Sequence, residues 1–124
     1  MAFSSAVGND LANYVYRGVA PTTLTTPIKV SIHTADPGAT GANEASGGSY
    51  ARQTAGYNAA SGGACALAAT LSFTLMPAGT FTHIGLWDST GTPKFLEGAA
   101  LASSRTLVLN DTLQITSATG TFTG

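Results

Sequence analysis

Charged residues are scarce in this sequence: they make up 9 % of its 124 residues, against roughly 25 % in ordinary soluble domains. A surface with so little charge needs partners to cover it if the chain is to work at high local concentration. The five cations, Arg17, Lys29, Arg52, Lys94 and Arg105, stand singly along the chain. Binding to phosphates needs clustered Lys and Arg, so the pattern argues against a nucleic-acid partner. The six acids, Asp10, Asp36, Glu44, Asp88, Glu97 and Asp111, are equally isolated, and paired-carboxylate chemistry finds no local signal. The single cysteine, Cys65, excludes an internal disulfide and reads as a small buried hydrophobe. Only two histidines occur, His33 and His83, with no His-x-x-His or Cys-x-x-Cys pair, so no metal, cofactor or catalytic residue is expected. No stretch approaches the roughly 18 apolar residues of a membrane span, and no basic residue precedes an apolar run near the start. The expectation is a chain made in the cytosol, with no membrane partner.

What the sequence does have is a core. Apolar residues reach 44 %, and the length suits one domain. The first twenty residues carry the one helical pattern, with Val7, Leu11, Tyr14 and Val15 at the spacing of a single face. Asn9 is the candidate N-cap, Gly18 the residue after the helix, and Pro21 the stop. Thr22 to Thr26 reads as an extended linker. From Ile28 the period drops to two: Ile28, Val30 and Ile32 alternate with Lys29, Ser31 and His33. Leu71, Phe73 and Leu75 repeat the alternation, and the Pro77-Ala78-Gly79 turn leads to Phe81 through Trp87, so these two runs read as a hairpin. Short strands follow at Lys94 to Leu96, Thr106 to Leu109, Leu113 to Thr116 and Thr121 to Thr123. The sum is a mainly β chain, an antiparallel β-sandwich or small barrel with a short N-terminal α-helix. Residues 1–26 form the helix and linker, and residues 27–124 the sandwich.

On this alternation His33 faces away from the core with Lys29 and Ser31, while His83 shares a face with Phe81 and Trp87. Tyr50, Phe73, Phe81 and Trp87 are the candidate core aromatics. Asp36 to Ser49 and Ala55 to Gly63, rich in Gly, Ala, Ser and Asn, offer little to a core and read as exposed loops or segments ordered by a neighbour. Asp36 to Gly41 lacks the oxygen ligands and the Glu of a calcium loop, and reads as a turn.

Three segments taken together resemble a family of small tailed-phage virion proteins, labelled tail fibre or head decoration proteins. They are Val30 to Gly38 (VSIHTADPG), Asn43 to Gln53 (NEASGGSYARQ) and Thr82 to Asp88 (THIGLWD), with Phe95-Leu96 and Asn110-Asp111-Thr112 after them. The resemblance implies a non-enzymatic structural protein of the virion, made in the host cytoplasm. Its preferred role is a capsid decoration or cement protein; the alternative is a tail fibre or tail-tip component, and a glycan-binding module comes third. The partners implied are the major capsid protein or other virion subunits, with self-association as a trimer, else a dimer. Asp36 and Arg52 flank the glycine-rich loop, so these two, or Asp36 and nearby backbone amides, are expected to pin its ends. The N-terminal face of Val7, Leu11, Tyr14, Val15 and Tyr16 exceeds what so short a helix needs for itself, and is the expected subunit contact.

Overall fold

The computed structural model describes the backbone of residues 2–3, 5–21, 24–118 and 120–121. It opens with β1 (Ala2–Phe3) and α1 (Ser5–Arg17), followed by β2 (Ile28–His33), β3 (Gln53–Ala55) and β4 (Ala64–Cys65). β5 (Leu71–Met76), β6 (Gly79–Trp87), β7 (Phe95–Leu107), β8 (Asp111–Ile115) and β9 (Gly120–Thr121) complete the order. A five-stranded sheet runs β1-β7-β6-β2-β3, while β5 pairs with β8 and β4 with β9, all antiparallel. The architecture is a sandwich rather than a closed barrel.

α1 starts a turn before the expected Asn9 cap, which leaves Asn9 and Gly8 inside the helix. Glycine in a helix interior costs about 1 kcal/mol. The extra turn carries Val7 into the core, where it is 6 % exposed, and that burial offsets the poor propensity. At the other end Gly18 adopts φ 65° and its N–H reaches the Tyr14 carbonyl at 3.1 Å, a left-handed cap. β1 lies within the N-terminal 26 residues yet joins the sheet of the body, Ala2 and Phe3 pairing with Gly98 and Glu97. Of the expected linker, Thr22 and Thr23 fall outside the described residues, as do Phe122 and Thr123 of the expected last strand.

Val30, Ile32, Ile84, Leu86 and Leu96 of the large sheet face Leu71, Phe73, Met76, Leu113 and Ile115 of the β5–β8 pair, and together they form the core. The expected hairpin between Leu71–Leu75 and Phe81–Trp87 does not form. β5 pairs instead with β8, and β6 with β7 and β2. The Pro77-Ala78 corner passes the chain from one sheet to the other, which lets both strands present an apolar face to one interior. Lys94 to Leu96 and Thr106 to Leu109, read as separate strands, belong largely to the single strand β7. A bulge there leaves Leu101 to Ser104 opposite Thr82 alone.

Candidate functional site

β2 lies between β3 and β6, so its flanks are taken by hydrogen bonds and both of its faces are available for packing. One face, with Val30 and Ile32, meets the core. The other carries Ser31 and His33, expected to point away from the core, yet both are 0 % exposed. Residues 34–52 fold over them. This corrects the reading of the Asp36 to Ser49 stretch as a loop with little to bury: Pro37 and Ala45 are buried, and the loop is the lid of a second, smaller core.

Main-chain bonds hold the lid first: the Ala45 N–H donates to Ile32 O at 2.8 Å and the Thr34 N–H to Asn43 O at 2.9 Å. Beneath it runs an ordered chain of hydrogen bonds. The Trp87 indole N–H donates to Ser31 Oγ at 2.8 Å, Ser31 Oγ lies 2.6 Å from His33 Nε2, and His33 Nδ1 lies 2.7 Å from the Ala42 carbonyl. A carbonyl only accepts, so Nδ1 carries the proton and the Ser31 hydroxyl donates to Nε2. The chain suits a neutral imidazole, and burial lowers the His33 pKa in the same direction. A serine beside a histidine is also the geometry of a nucleophile and its base. Here neither reaches solvent, and the far nitrogen meets a carbonyl rather than a carboxylate, so the pair serves as an internal strut.

Aromatic rings fill the remaining space. Phe95 packs edge-on against both His33 (6.4 Å) and Trp87 (5.1 Å). Two glycines make room for them. A Cβ on Gly85 would stand 2.6 Å from His33 Nε2 and 2.7 Å from Ser31 Oγ, and one on Gly41, which adopts φ 77°, would stand 2.5 Å from Trp87.

Asp36 and Arg52 do not pair with each other, whereas Asp36 does meet a nearby backbone amide. Arg52 grips Glu44 through two bonds of 2.8 Å, and its guanidinium lies 3.6 Å from the centre of the Trp87 ring. Asp36 instead accepts the Gly38 N–H at 2.8 Å in a local turn, and Asn43 donates to its backbone carbonyl. An isolated bridge joins Glu44 to His33 on the sheet, which sets its carboxylate within reach of Arg52. Tyr50 donates to the same carboxylate at 2.9 Å, accepts the Ile32 N–H at 3.0 Å, and stacks on Phe73. Burial works to raise the Glu44 pKa, but the bonds from Arg52 and Tyr50 outweigh it and hold it below the ordinary value; the same pairing raises that of Arg52.

Asp88, the last residue of the THIGLWD segment, is 0 % exposed. It accepts from Lys94 N at 2.7 Å, Thr90 Oγ1 at 3.0 Å and Thr25 N at 3.4 Å, tying the β6–β7 turn to the segment that leaves α1. Those bonds outweigh the effect of burial, which acts upward, and lower its pKa. The three segments thus converge on one structural feature, the clamped lid. Sequence reading missed Ser31 and Glu44 as members, and Asp88 as the tie of the neighbouring turn. The nearest signal was the i, i+2 placement of Ser31 and His33 on one strand face.

The remaining candidates sit as follows. Phe73 and Phe81 are 1 % exposed, in the main core; Trp87 lies under the lid, and Tyr50 is half-buried at the sheet edge. His83, paired across from His33, is half-buried and bonded to Thr82 Oγ1 at 2.7 Å. Val7, grouped with the expected contact face, is buried in the chain's own core because α1 docks through it. Leu11, Tyr14, Val15 and Tyr16 are exposed, Tyr16 to 86 %. Among the described residues no group of three or more His, Cys, Asp or Glu gathers as metal ligands, and no helix is long and apolar enough to cross a membrane.

By its family match this sandwich, whose distinctive residues are spent on clamping a loop, is a structural protein of a phage virion. The chain belongs to the family of the podophage GP4 fiber I protein gp80, whose family model matches residues 2–123. No curated protein matches it.

Proposed function

We propose that the protein is a fibre component of a podophage virion and works by packing against neighbouring subunits without catalysis. The family match across residues 2–123 carries this reading, because that family is of fibre proteins. It favours the fibre alternative over the capsid decoration or cement role preferred from sequence. The contact surface is the exposed part of α1 beyond Val7, where Leu11, Tyr14, Val15 and Tyr16 leave apolar area in water. A partner covering that stripe recovers the transfer free energy of the exposed side chains. The partners are other virion subunits, among them further copies of this chain in a trimer or a dimer, with neither nucleic acid nor membrane involved.

Cryo-microscopy of particles carrying a C-terminal tag labelled with gold tests the placement. Label confined to fibres is the expected result, and label spread evenly over the shell would overturn it. The double variant Val15→Glu, Tyr16→Glu is expected to stay folded, since both side chains are exposed, but to be missing from purified particles. Normal incorporation would remove α1 as the contact.

A further inference from the structure

At the end of the sandwich nearest α1 the interior is incompletely filled. A cavity of about 450 Å³ opens there, within the size range of small-molecule pockets. Its walls come from α1 (Val7), the segment before β2 (Leu24, Thr26, Pro27) and five strands of the body, and they are almost wholly apolar. Besides the Thr26 hydroxyl, two polar side chains interrupt them. Glu97 of β7 is 1 % exposed and its Oε2 has no hydrogen-bond partner among the described residues. The buried hydroxyl of Tyr57 is likewise unpartnered. Tyr57 is close enough to feel the charge of Glu97, but the two share no hydrogen bond. Leaving such atoms unpaired in an apolar wall is costly, and native proteins do it rarely without a reason.

We propose that this cavity binds a small aliphatic primary ammonium ion, its alkyl body among Val7, Ile28, Leu86 and Leu96 and its head between Glu97 and Tyr57. The apolar walls select an alkyl chain. An ammonium carries only donors, so it satisfies both the carboxylate and the phenol oxygen, and its charge complements the one acid in the wall. An anionic head would face the Glu97 carboxylate with like charge, and an uncharged alcohol would forgo the ionic attraction. Leu11, Tyr14, Val15 and Tyr16 do not line the site, which does not depend on the fibre assignment.

Titration calorimetry and protein NMR with n-hexylammonium, n-hexanol and n-hexanoate test the proposal on the intact chain. Hexylammonium is expected to bind and to shift the amides of Val7, Ile28, Leu86 and Leu96, with hexanol roughly tenfold weaker and hexanoate silent. Glu97→Gln is expected to bring hexylammonium down to the affinity of hexanol, and Tyr57→Phe to weaken it less. No binding of hexylammonium, equal binding of all three probes, or shifts confined to residues outside the cavity would each overturn it. The comparison of probes on the unmodified chain decides the matter even if a variant fails to fold.

Discussion

Two carboxylates on opposite sides of the same sheet behave in opposite ways. Glu44, in the lid, is half-buried and held by Arg52 and Tyr50, and its pKa lies below the ordinary 4.5. Glu97, in the wall of the cavity, is fully buried with one oxygen unpaired, and burial raises its pKa to about 7. Burial pushes both upward. The difference lies in the donors, which the lid supplies and the cavity does not, so partners rather than depth set the direction. The outer face of the sheet is therefore a finished polar core, and the α1 end is an unfinished apolar one.

The largest effect expected from breaking this contrast is at Gly85. Gly85→Val would drive a side chain into His33, Ser31 and Phe95, and should cost about 3 kcal/mol or more in urea denaturation. A loss under about 1 kcal/mol would mean that the lid yields easily and is no core.

Glu97→Gln reverses the usual sign. The folded-state pKa lies above the unfolded one, so the stability of the native chain is full below about pH 4.5 and declines as pH rises through about 7. The variant should be more stable than the native chain by roughly 2 kcal/mol at pH 8, an advantage that fades toward pH 4.5. A constant difference across that range would show that the carboxyl does not titrate as its burial requires.

Glu44→Gln should cost about 1 kcal/mol at neutral pH, because it weakens a partly buried bidentate pair. With a depressed folded-state pKa, the contribution of Glu44 is present above pH 4.5 and lost as pH falls through the lower folded value. The gap between variant and native chain should therefore close in acid, as at Glu97, but with the variant the less stable of the two here and the more stable there. His33 adds to the acid loss, since its lowered pKa favours the fold above pH 6.5 and ceases to do so as pH falls through the folded value. Asp36→Ala is the smallest, about 0.5 kcal/mol, because only an exposed local turn is lost. A loss as large as that of Glu44→Gln would return Asp36 to the role of loop pin.

Much of this molecule is legible in its residues. The period-two runs at Ile28–Ile32 and Leu71–Phe73 place Val30, Ile32, Leu71 and Phe73 in the main core, since alternation follows from strand geometry alone. The helix spacing and Gly18 place α1 and its end, and the scarcity of charge points to a chain that lives among partners. Pairing was not legible. Whether β5 meets β6 or β8 depends on which sheet each strand joins across the Pro77-Ala78 corner, and a strand's own pattern is the same either way. The lid was hidden because its small residues carry no apolar period. Its burial arises from fit, with glycine at 41 and 85 admitting the rings of Trp87 and Phe95. Arg52 was visible as a clamp, but its choice of Glu44 over Asp36 needed the bridge that sets Glu44 beside His33. Glu97 carried no sequence signal at all, since only the packing of distant segments decides whether a lone acid in a strand meets water or an apolar wall. Local periodicity thus determined which residues are strand, helix and core, whereas partner choice and the protonation of buried groups are properties of contacts between distant segments, decided by the tertiary structure.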